Sequence, residues 1–250
     1  MSTENKPLAG ADAAAPYSFT LKDISISNWS EHPFSLTAFG MKNSGFHRFG
    51  FVIYRTTYDD EAAWERYLKV LKFAAHQSLV RSGNDVLLEQ YMDWLVISDR
   101  VALNGASKAD VRQSFNAWCE GLSEERDGPG AISPRVKWLP RFKHCVYVDR
   151  KCLDTLAKMP ADYLEPQWLR RHSDVLAVVI DGAFDQRIPG PDQGMYPDLE
   201  GCTERYVGWK YEEIEMLVNT YDEAHVLPLS EIEYQRPLLS GPTGYRPMFS

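Results

Sequence analysis

The chain has 250 residues, 44% of them hydrophobic and 12% aromatic, which is enough apolar material to bury a full core and argues against a disordered chain. Its formal net charge of −8, with a pI near 5.3, repels polyanions over the surface as a whole, so any nucleic-acid contact has to be local. No run approaches the roughly 18 consecutive apolar residues of a membrane span.

Residues 1–22 are rich in Ala, Ser and Pro, lack periodicity, and read as a flexible N-terminal tail. They show no basic stretch followed by an apolar one, so a cytoplasmic chain is expected. The four cysteines, Cys119, Cys145, Cys152 and Cys202, form no C-x-x-C pair, so neither disulfides nor a structural zinc is expected. A single α+β domain is assigned to 23–224. Residues 225–250, punctuated by Pro228, Pro237, Pro242 and Pro247, read as an extended C-terminal arm.

Within the domain, Phe49 to Tyr58 is aromatic and β-branched, which predicts a buried strand. A helix follows. Thr57 and Asp60 have capping-box spacing, and Trp64, Leu68, Leu71 and Ala75 make one apolar face. Asp93 to Ser98 predicts a second strand. Ser107 and Asp110 then open another helix, with Val111, Phe115, Trp118 and Leu122 on one side. Gly121 to Pro134 reads as a long loop. Further strands are predicted at His144 to Val148, Val175 to Ile180 and Tyr206 to Tyr211, with short helices over Arg150 to Lys158 and Glu212 to Tyr221. The irregular spacing favours a mixed or mainly antiparallel sheet over a parallel one, with helices on one face in a ferredoxin-like layer.

The P-loop, dinucleotide, nucleophile-elbow and H-E-x-x-H motifs are all missing, and the six histidines are scattered without ligand spacing. No cofactor and no metal is expected. Tyr54-Arg-Thr-Thr-Tyr-Asp-Asp-Glu-Ala-Ala-Trp64 sets Asp59, Asp60 and Glu61 at a strand end beside Arg55, Tyr54 and Tyr58. Paired carboxylates there suit a guanidinium or an acid–base pair, whereas the plainer reading, favoured by the residues alone, is a charged helix cap.

Glu200-Gly-Cys-Thr-Glu-Arg-Tyr-Val-Gly-Trp209 places Glu200, Cys202, Thr203, Glu204 and Trp209 in one loop. Cys202 or Thr203 suits a nucleophile and Glu204 a base, against a tight turn with an inert buried thiol. Two basic clusters interleave with aromatics: Arg135, Lys137, Trp138, Arg141, Lys143 and His144, then Trp168, Arg170, Arg171 and His172. They suit a phosphate-tracking strip, against an ordinary solvated face.

Phe51 to Trp64, Asp99 to Arg112, Cys145-Val-Tyr-Val-Asp149 and Glu200 to Trp209 together resemble a large group of small filamentous-fungal proteins, over about Gly50 to Tyr221. Through that group the chain resembles the fungal arginine-containing cyclodipeptide synthases. The resemblance implies an enzyme that takes arginine from arginyl-tRNA and a second residue from another aminoacyl-tRNA, and closes a diketopiperazine without ATP or metal. It also implies a D-D-x-x-E motif beginning at Asp59 and Asp60, but the fifth position here is Ala63.

On that reading Tyr54, Arg55, Tyr58, Glu200 and Trp209 bind substrate. Asp59, Asp60, Glu61, Cys202, Thr203 and Glu204 supply base and carrier. Arg135, Lys137, Arg141, Lys143, Arg170 and Arg171 meet tRNA. Two other classes stay open: a non-catalytic binding protein, and a metal-independent hydrolase or lyase acting on a small cationic substrate.

Overall fold

The computed structural model of the chain describes residues 20–159 and 174–237. In chain order its elements are α1 (Ile26–Trp29), α2 (Ser35–Ser44), β1 (Val52–Arg55), α3 (Glu61–Ser82), α4 (Asp85–Leu88), β2 (Val96–Ile97) and α5 (Arg100–Leu103). There follow α6 (Lys108–Glu120), α7 (Glu124–Asp127), β3 (His144–Val148), α8 (Arg150–Asp154), β4 (Leu176–Asp181), β5 (Trp209–Glu213) and α9 (Leu217–Glu223).

The strands form one open mixed sheet in the order β2-β1-β3-β4-β5. β1 runs parallel to β2 and β3, with Tyr54 beside both Ile97 and Tyr147, and β4 runs antiparallel to β3 and β5. The α+β class and mixed sheet agree with the pattern in the sequence. The side chains of β3 are buried throughout and those of β4 almost so, as expected for central strands covered on both faces.

Helices on one face were expected, and the structure corrects this. Side chains of adjacent residues on a strand point to opposite faces. The Tyr54 ring meets Phe115 of α6, centroids 6.4 Å apart, while the Arg55 guanidinium lies 4.8 Å from the Trp64 ring of α3. The cause is topological: the step from β1 to β2 and the return from β2 past β1 to β3 run in opposite directions. Right-handed crossovers then put α3 and α6 on opposite faces. With β1 parallel to both its neighbours, the sheet is not the antiparallel ferredoxin-like layer.

Local expectations are adjusted by hydrogen bonding. The N-cap of α3 is Asp60, whose carboxylate accepts the Ala63 N–H at 2.9 Å, and not Thr57, which is buried. Of the expected face, Trp64, Leu71 and Ala75 are buried and Leu68 is half-buried. The Ser107–Asp110 capping box forms at both ends, at 3.1 and 3.0 Å. α6 stops at Glu120, so Leu122 packs beyond it against the small cluster of Phe46, Ala131, Val136 and Leu139, and the expected loop after Gly121 contains α7. β5 runs to Glu213, which delays the last helix to Leu217.

At the domain ends, Leu21 is already buried. Beyond α9, Leu229, Ile232 and Tyr234 are buried, and Lys210 of β5 donates to the Ile232 carbonyl at 2.7 Å, so 225–237 belongs to the packed body. Among the described residues no helix is long and apolar enough to cross a membrane, and all four cysteines carry free thiols.

Candidate functional site

The acidic corner after β1 is occupied by the chain's own arginine. Arg55, 4% exposed, donates to Glu61 through both terminal nitrogens at 3.0 and 2.6 Å, and through Nε to the Thr57 carbonyl at 2.8 Å. Its plane lies 4.5 Å from the Tyr58 ring as well as against Trp64. This bidentate bond holds the Glu61 carboxyl below the usual carboxylate range. Asp60 caps α3 and stands 3.9 Å from Arg150, and Asp59 is exposed. Tyr54 belongs to the other face, buried, with no hydrogen-bond partner for its hydroxyl. The helix-cap reading therefore describes Asp60, while Glu61 neutralises a buried strand arginine.

The Glu200 loop lies on the α6 face. Glu200 grips Lys108 at 2.6 Å, and the Lys108 ammonium sits 4.1 Å over Trp209 and 5.4 Å from Tyr147. Beside this cage is a cavity of about 240 Å³ that Glu200, Cys202, Trp209 and Arg112 line and that does not include Asp59 or Asp60. The carriers and the base inferred from the loop's sequence tie its backbone instead. The Cys202 thiol points at the Tyr206 carbonyl at 3.6 Å, Thr203 accepts the Gly194 N–H at 2.9 Å, and Glu204 accepts the Gly190 N–H at 2.6 Å. Glu200 and Gly201 both have positive φ, 54° and 84°, which reverses the chain between Leu199 and Cys202.

The first basic cluster divides. Arg141, 3% exposed, is a strut that donates to the Gly50 carbonyl at 2.8 Å and the Asp93 carboxylate at 2.9 Å. Arg135 donates to the Asn43 carbonyl at 3.1 Å. Lys137 and Lys143 instead line a cavity, and Trp138, 72% exposed, stands at its mouth. The second cluster, with Arg170 and Arg171, lies outside the described residues.

That cavity, about 560 Å³, also holds His144, Asp181 and His225. His144 opens β3 and Asp181 closes β4, and the antiparallel register sets them directly opposite one another. His144 Nδ1 is 3.8 Å from Asp181 Oδ1, while Asp181 accepts the Ala183 N–H at 3.0 Å and the Tyr206 hydroxyl at 2.9 Å. Burial pushes His144 down to about 4, against the pull of the carboxylate, so the imidazole is neutral near pH 7.

Burial, then the charge of Lys143, pushes His225 down to about 3, and burial also lowers Lys143. His144 Nδ1 and His225 Nε2 are both buried without a hydrogen-bond partner. Such an assembly can take a proton on the His144 imidazole, which faces the Asp181 carboxylate across the strand pair, and meet developing negative charge with Lys143. Among the described residues no cluster of three or more His, Cys, Asp or Glu stands at metal-binding spacing.

Read singly in the sequence, His144, Asp181 and His225 carry no signal: their grouping depends on strand register and on the return of the chain after α9. The one local hint was His144 following Lys143 at the start of a strand. No family model matches the chain, and neither a curated protein nor a solved structure matches it.

Proposed function

We propose that the chain is an acyl-transfer enzyme working in the His144–Asp181 cavity, with aminoacyl-tRNA as acyl donor and an arginine-containing cyclic dipeptide as product. The observation that carries an enzymatic reading is the neutral, buried His144 facing a carboxylate across the β3–β4 pair. Attack of an amine on an activated ester needs a base and a donor for the oxyanion, and His144 and Lys143 suit those roles. A substrate that draws His144 onto Asp181 shortens the 3.8 Å gap and raises its basicity. Trp138 and Lys137 at the mouth suit a stacked base and a phosphate of the donor's end. The donor and product come from the motif resemblance, and the cavity supports the reaction class.

The test is mass spectrometry of extracts and of reactions supplied with aminoacyl-tRNAs. The parent chain should yield the cyclic dipeptide and RNase should abolish it, whereas His144→Ala should lower the rate by roughly 10²–10⁴-fold while staying folded. Product formation that RNase leaves intact would indicate a hydrolase or lyase using the same dyad. A binding protein is the second reading, favoured by the exposed Trp138 and Val226 at the mouth, and it gains if soluble protein makes no product.

A further inference from the structure

At the end of the cavity where Lys143 and His225 lie, the His225 ring has no part in the chemistry assigned to His144 and Lys143. Among the described residues the Lys143 ammonium has one hydrogen-bond partner, the Ala224 carbonyl at 3.5 Å. The His225 ring is fixed from behind: a Cβ at Gly40 of α2 would overlap it, and the Tyr221 ring meets it edge-on at 5.7 Å. Its Nε2 is nevertheless buried without a partner. Buried polar atoms are almost always satisfied, so a rigidly held ring with an orphan nitrogen beside an under-coordinated ammonium points to an acceptor brought by a ligand. Trp138 supplies an apolar platform at the same opening.

We propose that the cavity seats an anionic oxygen group, a carboxylate or a phosphate, between the Lys143 ammonium and the Nε2 edge of His225, with the ligand's apolar or flat part on Trp138. This deepens the reading above by naming the group its substrate presents, and it rests on that cavity being the working site. Seating the anion draws one proton from solvent onto His225, because the anion offsets the burial and the Lys143 charge that keep the ring neutral. Other groups around the ring leave that coupling to His225. The Asp222 carboxylate is turned to Thr37 at 2.7 Å, burial keeps Tyr221 protonated, and Asp181 is held by Tyr206 and Ala183.

The experiment titrates the full chain with inorganic phosphate and, separately, with acetate, following the His225 ring resonances and the heat of binding at mildly alkaline and mildly acidic pH. One site is expected for each anion, and acetate, whose own charge is fixed over this range, should bind more tightly at pH 6 than at pH 8. Tighter acetate assigns a carboxylate and tighter phosphate a phosphoryl group. His225→Gln should remove the pH dependence, Lys143→Met should weaken binding at least roughly tenfold, and His144→Gln should leave it.

Absence of any His225 shift with either anion overturns the proposal, and so does binding indifferent to both Lys143→Met and pH. The parent chain's own acetate titration, read at the His225 ring resonances, decides the matter even if a variant misfolds. Product lost in His144→Ala without anion binding would leave the catalytic reading standing and sink this one. Anion binding with no product would do the reverse.

Discussion

Glu61 closes both carboxylate oxygens on the terminal nitrogens of Arg55, at 3.0 and 2.6 Å, so the acid-rich start of α3 pairs with a guanidinium from inside the protein. Arg55 is almost wholly buried and Glu61 is largely exposed, and the two substitutions should therefore differ. Arg55→Ala removes the stacking on Tyr58 and Trp64 and leaves the Thr57 carbonyl without its donor, which should cost about 3 kcal/mol in urea denaturation. Glu61→Gln should cost less and lose its effect in high salt. Because the Glu61 carboxyl is held low in the folded state, its contribution is present above the ordinary carboxylate range and fades as pH falls through the folded value.

Asp60→Ala tests whether the acidic pair does anything beyond capping. Loss of the bond to the Ala63 N–H should lower stability by about 1 kcal/mol, and Asp60→Asn should restore most of it. Asp59→Ala, at an exposed position, should leave the denaturation midpoint within error. If product formation is followed in parallel, both variants should keep it once folded. Loss of product in a fully folded Asp59→Ala chain would return the acids to the reaction.

The buried histidines predict acid sensitivity. An unfolded histidine titrates near 6.5, whereas His144 and His225 are pushed down to about 4 and about 3. Below about pH 6.5 the unfolded chain binds protons that the folded chain refuses, so stability falls as pH drops toward those values and levels off beneath them. The His144 and His225 rings contribute on the order of 3 and 5 kcal/mol across that window. Urea denaturation at a series of pH values should show the slope, and His225→Gln should remove about one proton from it.

Arg141 and Arg135 separate a structural arginine from a surface one. Arg141→Met should cost about 3–5 kcal/mol, because the Asp93 carboxylate and the Gly50 carbonyl lose a buried donor. Gly50 sits at φ 109° with Asp93 close behind it, so that corner has little room to adapt. Arg135→Ala should leave stability nearly unchanged. Any RNA affinity measured on folded protein should respond to Lys137 and Lys143, which line the open cavity, and not to Arg141.

How legible each feature was depends on the separation of the residues that make it. The Ser107–Asp110 box could be read directly because its donors and acceptors lie three residues apart, and β3 because five successive residues carry one β-rich, fully buried pattern. The acidic run after β1 was legible as residues but ambiguous as chemistry, since its partner was the adjacent Arg55 and spacing does not say which way a strand side chain faces. The carriers and the base inferred in the 200–204 loop did not come together, for a related reason. A thiol, a hydroxyl and a carboxylate close in sequence each found a separate backbone group.

By itself the sequence determined the five strands, the two long helices that follow β1 and β2, and the α+β class, because propensity, capping and apolar periodicity act over a few neighbouring residues. Only the tertiary structure decided the faces of the helices and the position of the cavity. The first follows from two right-handed crossovers running in opposite directions. The second follows from the β3–β4 register that sets His144 against Asp181, and from the close approach of Gly40 to the His225 ring. Such pairings join residues far apart in the chain, and no local pattern records them.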